Sequence, residues 1–329
     1  MHLAAATAPA PSTGIVQGCA TDEGRLPVEF RLRCPRCASA LAEAACPSCG
    51  FAVGVRCGIV RALSPEARAH LAAFIGEYER IRDAEGRGSE SADYYLALPY
   101  EDSSGRERAQ WRIRARSHDY LSRHLLPRPD GGDPVAVLDL GAGNGWMSYR
   151  LALAGYRPCA VDLLTNDSDG MGAARHYRGR LPALFPRFQA SFDALPFDDG
   201  QFDAAVFNAS FHYSEDGQSA LREALRCVKP GGLVVISDTP WYARDSDGRR
   251  MLAERGAAFR RRHGTAGDAI AMLGFLTDDW LQAMEHALAI RWEVHRPWYG
   301  LAWALRPLAA TLRGRRRPSR FRLYVARKR

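Results

Sequence analysis

The residues with the clearest chemical potential follow one apolar stretch near the middle of the chain. The stretch is residues 135–140, and Asp139 is its next-to-last residue. Glycines then follow at alternate positions, Gly141, Gly143 and Gly145. The apolar stretch predicts a strand buried on both faces, and the apolar run after the glycines predicts a helix. Glycine lets the backbone turn sharply and approach a ligand closely, so this order favours a nucleotide-like ligand. The spacing differs from the dinucleotide pattern G-x-G-x-x-G, because Trp146 stands where the third glycine would be.

A carboxylate is expected at the tip of the neighbouring strand. The segment before Asp162 is apolar, and Leu163 follows it. A carboxylate at this place accepts hydrogen bonds from both hydroxyls of a ribose. The glycine turn alone also fits a plain strand–helix connection without a ligand, but the second feature favours a binding site.

Two further segments complete a set of four motifs in a fixed order. Residues 188–203 read FQASFDALPFDDGQFD, and residues 225–236 carry a Lys-Pro-Gly-Gly turn before an apolar strand. With the glycine turn and Asp162, they resemble the class I S-adenosylmethionine (SAM) methyltransferases, and in particular the UbiE-like methyltransferase type 11 domains. The resemblance implies an α/β fold with a doubly wound, Rossmann-like, mostly parallel seven-stranded sheet, and SAM as the cofactor.

The same resemblance implies which residues hold SAM. One position departs from the family: Ser191 stands where an aspartate often binds the adenine amino group, and Asp193 lies two residues further on. The expected cofactor contacts are Asp139, Gly141, Ala142, Gly143, Gly145, Asp162, Leu163, Ser191, Phe192, Asp193 and Asn208.

Methyl transfer from a sulfonium mainly requires a positioned nucleophile and the exclusion of water. A general base helps a hydroxyl acceptor and matters less for an amine or an activated carbon. His212 and Tyr213 follow the predicted fourth strand and are candidates for catalysis, although shaping of the pocket explains them equally well.

Aromatic residues on either side of the central motifs are candidates for covering the site. Tyr94 and Tyr95 are expected to form a lid over the cofactor, and the alternative is that they take part in ordinary hydrophobic packing. Trp241 and Tyr242 follow the predicted fifth strand and are expected to contact the acceptor or the sulfonium.

Four cysteines form two C-x-x-C pairs near the start of the chain. Cys34 and Cys37 are separated by eight residues from Cys46 and Cys49. This spacing brings four thiolates within reach of one tetrahedral ion and favours a structural Zn²⁺. The alternatives are a redox pair or cysteines without a shared role. The segment is similar to the Trm112-type zinc ribbons that precede some methyltransferase domains.

The charge is concentrated at one end of the chain. The net charge is +8, and residues 313–329 hold nine Lys or Arg and no acid, so the remaining residues have a net charge of −1. A neutral body weakens the prediction of a nucleic-acid footprint over the whole surface. The longest apolar runs are well below the ~20 residues of a membrane span, and residues 1–20 lack the basic and apolar regions of a signal peptide. We expect a cytoplasmic protein without a membrane partner, and the sequence leaves the oligomeric state open.

The expected domain organisation has four parts. They are a disordered leader (1–29), a Cys₄ zinc ribbon (30–63), a helical linker and lid (64–130) and the methyltransferase domain (131–329). In the linker, the arginines of a predicted helix at 108–126, among them Arg114, are expected to form a solvated face. The helix predicted at 168–178 is one of three between the first five strands of the domain.

The sequence favours a methyltransferase that acts on a small or medium-sized metabolite, at oxygen, nitrogen or carbon. The alternative is an RNA methyltransferase of the rRNA guanine type, which would use the zinc ribbon and the basic C-terminus to hold RNA. A third hypothesis is a SAM-binding module without catalysis, to which Ser191 gives slight support. The sequence does not identify the acceptor.

Overall fold

One mixed sheet carries most of the structure. The computed structural model describes residues 26, 29–41, 43–129 and 132–329. The expected leader therefore lies outside the described residues, apart from Leu26 and Glu29. The strands are β1 (Leu32–Arg33), β2 (Ala40–Leu41), β3 (Gly54–Arg56), β4 (Ile59–Arg61), β5 (Ala136–Leu140), β6 (Arg157–Asp162), β7 (Arg187–Gln189), β8 (Phe202–Asn208), β9 (Val228–Ser237), β10 (Trp292–His295) and β11 (Leu323–Arg327).

The order of strands in this sheet is β10-β11-β9-β8-β5-β6-β7-β4-β3. Strands β9, β8, β5, β6 and β7 are parallel; at one side β11 pairs antiparallel with β9, and β10 pairs antiparallel with β11. Every residue of β5 is buried because helices cover both faces of the sheet. The chain winds outward from β5 in both directions, which confirms the doubly wound fold. It also places the ligand-binding crevice at the carboxyl ends beside β5.

The sheet has nine strands because a hairpin from the N-terminal region extends the expected seven. Strand β4 pairs in parallel with β7, with Val60 opposite Phe188. Ile59 and Val60 are almost completely buried and need an apolar neighbour, which the open edge of β7 provides. The segment expected to end a separate ribbon at residue 63 is thus continuous with the main sheet.

The other half of the ribbon packs on the same core. Strands β1 and β2 form a short antiparallel hairpin, with Leu32 opposite Leu41. The ring of Phe30 stacks on Phe202 at a centroid distance of 4.7 Å. Since Phe202 belongs to β8, the N-terminal region and the methyltransferase sheet share one hydrophobic core.

Nine α-helices lie in the described part of the chain. Their starts follow the expected signals: Ser64 caps the first helix by accepting from the backbone N–H of Ala67 at 3.1 Å, and Thr277 caps the seventh. None of the described helices has the length and apolarity to cross a membrane. The helices are α1 (Pro65–Ala84), α2 (Ala92–Ala97), α3 (Arg108–Tyr120), α4 (Trp146–Leu153), α5 (Gly217–Cys227), α6 (Asp245–His263), α7 (Asp278–Leu288), α8 (Leu301–Ala304) and α9 (Arg306–Leu312).

The helix predicted at 168–178 is shorter than expected and is a 3₁₀-helix, Met171–Tyr177. The side-chain oxygen of Asn166 accepts from the backbone N–H groups of Ser168, Asp169 and Gly170 at 3.0, 2.9 and 3.0 Å. These bonds hold the preceding loop in tight turns and delay the start of the helix. The loop they fix carries Asp169 to the edge of the site described next.

Candidate active site

The glycine turn closes the carboxyl end of β5. Gly141, Gly143 and Gly145 all have positive φ, at 77°, 55° and 77°. A Cβ on Gly141 would lie 2.2 Å from the Cβ of Ser210, so only glycine fits there. The turn brings its backbone to the wall of a cavity of about 430 Å³ at the carboxyl ends of the strands.

Most of the residues expected to contact the cofactor line this cavity. Asp139 and Gly145 are the exceptions. Asp139 is buried beneath the turn, where it accepts from the hydroxyl of Ser148 at 2.8 Å. This bond ties β5 to α4, and burial raises the pKa of Asp139 to about 7. The expected cofactor contacts that do line the cavity are Gly141, Ala142, Gly143, Asp162, Leu163, Ser191, Phe192, Asp193 and Asn208, and the catalytic candidate Tyr213 lines it as well.

Asp162 occupies the position that the sequence predicts, at the end of β6 and in the cavity wall. One carboxylate oxygen accepts from the backbone N–H of Gly143 at 2.8 Å, and the other accepts from Leu164 at 2.7 Å. Burial raises the pKa of Asp162 to about 6. An ionised carboxylate has about four acceptor sites, so two remain for the hydroxyls of a ligand.

The hydroxyl of Ser191 donates to the carboxylate of Asp193 at the far side of the cavity. Burial raises the pKa of Asp193. Phe192 lies between them and packs edge-on against Phe207 at a centroid distance of 5.3 Å. This end of the cavity is therefore part aromatic and part acidic, and both candidates for the adenine contact lie in it.

Helix α1 covers the cavity, and the tyrosines of α2 do not line it. Phe74 and Tyr78 of α1 line the wall, one turn apart on the apolar face of the helix. Tyr94 and Tyr95 are 5% and 0% exposed and lie outside the cavity walls. The hydroxyl of Tyr95 donates to the backbone oxygen of Ser168 at 2.7 Å, so this ring supports the loop before the 3₁₀-helix.

Trp241 and Tyr242 are also buried away from the cavity. The indole N–H of Trp241 donates to Asp278 at 2.9 Å. The hydroxyl of Tyr242 accepts from Arg316 at 3.0 Å. These bonds connect the end of β9 with α7 and with the segment before β11. Neither residue lines this cavity or the one beside it, so their positions give no support to the expectation that both rings contact the acceptor or the sulfonium.

A second cavity of about 250 Å³ adjoins the first. Tyr213 and Ala209 line both cavities, whereas His212 lines only the second. Burial lowers the pKa of His212 to about 3, so its ring is neutral at physiological pH. Its Nδ1 atom has no hydrogen-bond partner within the described part of the chain.

Asp238 lies in the wall of this second cavity, directly after β9. One of its carboxylate oxygens accepts from the hydroxyl of Ser117, and the other is buried without a partner among the described residues. Burial raises the pKa of Asp238 to about 6, against the opposing effects of the hydrogen bond from Ser117, the Arg114 charge and the Tyr299 hydroxyl. Its position at a strand end was visible in the sequence, but nothing there showed that one oxygen would lack a partner.

Arg114 lines both cavities, although its helix face was expected to be solvated. The guanidinium lies over the ring of Trp111, 4.6 Å from the centroid. It makes no hydrogen bond or ion pair with a described residue, while the nearby Arg82 is paired with Asp169 at 3.3 Å. Burial lowers the pKa of Arg114, yet an arginine remains charged. The spacing of Trp111 and Arg114, three residues apart on one helix, is the signal that could have identified them.

The four paired cysteines come together, as predicted. Their sulfur atoms all lie within 4.8 Å of one another. Cys34 and Cys49 are 3.6 Å apart, and Cys37 and Cys46 are 3.5 Å apart. Zinc–sulfur bonds of about 2.3 Å in a tetrahedron give sulfur–sulfur distances of roughly 3.8 Å, so this arrangement fits a Cys₄ zinc ion.

Comparison with known proteins identifies the domain around this site. Residues 138–236 match the family described as "Methyltransferase domain". The chain is 31% identical over 133 residues to a malonyl-[acyl-carrier protein] O-methyltransferase of Erwinia pyrifoliae, covering 40% of this chain and 48% of that protein. It is 34% identical over 126 residues to a sarcosine/dimethylglycine N-methyltransferase of Halorhodospira halochloris, covering 38% and 42%. The chain thus spans about half the length of the curated relatives it matches.

A solved structure shares the fold over a longer span. It is geranyl diphosphate C-methyltransferase from Streptomyces coelicolor A3(2), in complex with Mg²⁺, geranyl-S-thiolodiphosphate and S-adenosyl-L-homocysteine. The TM-score is 0.50 at 17% identity, over 81% of this chain and 99% of that chain. The family match and the strand order together show a class I SAM-dependent methyltransferase domain, which confirms the resemblance drawn from the sequence.

Proposed function

We propose that this protein transfers the methyl group of SAM to a small-molecule acceptor bound in the second cavity. One arrangement carries the proposal: a second cavity adjoins the one beside the glycine turn, and Asp238 in its wall has a buried carboxylate oxygen without a partner among the described residues. Buried polar atoms are almost always bonded, so an exception in a cavity wall points to a ligand. The relatives named above act on different acceptors, and this agrees with a cofactor site that is shared more widely than an acceptor site.

The first cavity suits each part of SAM. The free acceptor sites of Asp162 would receive the ribose hydroxyls. Leu163 and Phe192 would contact the adenine ring, and Ser191 or Asp193 would bind its amino group. Arg114, a cation that forms no ion pair with a described residue, would bind the carboxylate of the methionine part. Bound SAM supplies a methyl group that is already activated by the positive sulfur.

The protein then has to position the acceptor and receive its proton. Asp238 and His212 both line the second cavity, and each has a buried polar atom without a partner among the described residues. A base is most effective when its pKa is near the working pH. The pKa of Asp238 is raised to about 6 and that of His212 is lowered to about 3, which favours Asp238 as the base. Under this assignment His212 and Tyr213 shape the cavity between cofactor and acceptor.

The size of the second cavity favours a metabolite over RNA. RNA is the second candidate because arginines near the C-terminus are exposed, among them Arg313, Arg315 and Arg317. Proteins that bind single strands combine such charges with exposed aromatic platforms for the bases. The aromatic walls of the second cavity, Phe74, Tyr78 and Phe259, enclose about 250 Å³ instead.

A labelled-methyl assay tests the proposal. Protein and SAM carrying a labelled methyl group are incubated with a small-molecule extract and, separately, with total RNA. We expect label in the small-molecule fraction and none in RNA. Gly143→Val is the control, because it adds a branched side chain at a positive φ in the cavity wall. SAM binding by the wild type without label in either fraction would support the non-catalytic hypothesis.

We also propose that Cys34, Cys37, Cys46 and Cys49 hold a structural Zn²⁺. The support is the sulfur geometry, since the four atoms lie within 4.8 Å of one another. A closed site with four thiolates leaves no position for a substrate, so the ion would stabilise the fold of the N-terminal region. Because β1 and Phe30 pack on the main core, that stabilisation would extend to the sheet.

A further inference from the structure

The segment before the last strand carries an apolar surface for which the cofactor and acceptor sites give no role. Five large side chains in it are mostly exposed. Four of them are leucines at intervals of three or four residues along α8, α9 and the residue that joins them, and the fifth is Trp298, which precedes α8. They are Trp298 (64% exposed), Leu301 (72%), Leu305 (55%), Leu308 (58%) and Leu312 (79%). We call them the apolar stripe. Large contiguous apolar patches on a protein surface usually mark an interaction site.

The charged residues of the segment that carries the apolar stripe are all positive. No Asp or Glu occurs between residue 294 and residue 329. Arg313, Arg315 and Arg317 follow the stripe directly and are exposed, and none of them pairs with a described acid. Arg316, between them, is bound to Glu254 at 2.6 Å and holds the turn in place. The surface therefore presents large apolar side chains next to three available cations.

The stripe is held close to the acceptor cavity. Tyr299 is buried, and its hydroxyl lies 2.9 Å from that of Ser117. The ring of Trp303 packs against Phe321 at a centroid distance of 5.2 Å, and Phe321 lines the second cavity. A partner that covers the stripe would thus lie near the wall of the second cavity.

We propose that the apolar stripe together with Arg313, Arg315 and Arg317 binds the surface of an anionic lipid bilayer. Interfacial helices use this combination: leucine and tryptophan enter the boundary between headgroups and acyl chains, and cations meet the lipid phosphates. RNA would use the arginines but gives the exposed leucines no role. An acidic protein would need partner residues that match the stripe, whereas a bilayer accommodates any apolar side chain of this kind.

Sedimentation with lipid vesicles tests the proposal on the full chain. We expect binding to vesicles that contain phosphatidylglycerol and little binding to pure phosphatidylcholine. Each arginine near an anionic surface contributes about a factor of five to partitioning, so R313S/R315S/R317S should weaken it by roughly 100-fold. L301S/L312S should weaken it by at least about 10-fold, since each leucine leaves the interface. Leu153→Ser is the matched control, because Leu153 is 50% exposed at the end of α4 and should have no effect.

Two results would overturn the proposal. One is the absence of binding to phosphatidylglycerol vesicles by wild-type protein. The other is binding that depends on the three arginines but is unchanged in L301S/L312S, which would show a purely electrostatic surface. A fluorescent single-stranded RNA is titrated in parallel, and RNA binding without vesicle binding would assign the arginines to RNA. Circular dichroism of each variant verifies that these exposed substitutions leave the fold intact.

Discussion

The carboxylate of Asp162 accepts a hydrogen bond from the backbone N–H of Gly143, at 2.8 Å. The tip of β6 is thereby fixed to the glycine turn after β5, across the crevice where the proposed cofactor lies. The bond uses one acceptor site of the carboxylate and leaves others for a ligand. The relationship explains how two motifs about twenty residues apart form a single site.

Arg114 provides the first prediction. Arg114→Gln removes the only cavity cation that we assign to the SAM carboxylate, and a hydrogen bond to a charged group contributes about 1.5–3 kcal/mol. SAM affinity should fall by roughly 10- to 100-fold in a calorimetric titration. Arg112→Gln is the control, since Arg112 is exposed on the same helix. Equal SAM affinities for both variants would remove Arg114 from the site.

Asp238 provides the second prediction, which concerns pH. The pKa of about 6 means that the carboxylate gains its negative charge as pH rises through 6, so methyl transfer should rise over the same range. Asp238→Asn should lower the rate by about 10²- to 10⁴-fold, the usual contribution of a general base. In this variant the rate should no longer rise as pH passes through 6, and SAM affinity should be unchanged. If the rate of Asp238→Asn still rises with pH as in the wild type, and that of His212→Asn does not, the base would be His212.

Asp139 provides the third prediction, which concerns stability. Burial raises its pKa to about 7, whereas an unfolded aspartate has a pKa of about 3.9. At pH values between these two pKa values, Asp139 is ionised in the unfolded chain but still protonated in the folded protein. Asp139 therefore makes the protein less stable as pH rises from 4 to 7. Asp139→Asn cannot ionise. The difference in melting temperature, variant minus wild type, should therefore become more positive between pH 4 and pH 8.

Asp199 is the matched control for that experiment, with the opposite sign. Its ion pair with Arg226 lowers its pKa. The carboxylate of Asp199 thus stabilises the fold once pH exceeds the unfolded value, and this stabilisation is lost as pH falls. The corresponding difference for Asp199→Asn should be negative and nearly constant between about pH 5 and pH 8, and it should shrink only as pH falls below about 4. Parallel trends in the two variants would show that burial of Asp139 does not control its ionisation.

The cysteine cluster provides the fourth prediction. Elemental analysis should find one Zn²⁺ per chain, and Cys37→Ser should lose it. Because Phe30 and β4 belong to the main core and sheet, metal loss should also lower the melting temperature of the whole protein. Cys227→Ser is the control for metal content, since Cys227 is buried far along the chain in α5. Metal-free wild-type protein, purified without chelator, would contradict the zinc assignment.

The parts of the site that follow from local sequence were predictable. The glycine turn and Asp162 depend on strand ends and glycine spacing, and both lie where the sequence placed them. The sequence could not predict which aromatic residues cover the cavity, because buried and cavity-lining aromatic residues follow the same sequence pattern. Tyr95 packs inside the protein while Tyr78 faces the cavity, and only the packing of α1 on the sheet distinguishes them.

Long-range pairing explains the remaining differences. Helical spacing places Arg114 on α3, but whether that face of the helix is exposed to solvent depends on what α3 packs against. The pairing of β4 with β7 joins residues more than a hundred positions apart, and no local pattern shows that an edge strand is available. Within the ribbon expected at 30–63, β3 and β4 therefore extend the main sheet, while β1 and β2 form a separate hairpin.

The most direct test of the account is a calorimetric titration of SAM into wild-type protein and Asp162→Ala. The account predicts one SAM per wild-type chain and an affinity lower by roughly 10- to 100-fold in the variant, because charge-assisted hydrogen bonds to the ribose are lost. Asp139→Asn, altered at the end of the adjacent strand but outside the cavity, should keep the wild-type affinity. No SAM binding by the wild type, or equal affinity in Asp162→Ala, would contradict the central claim.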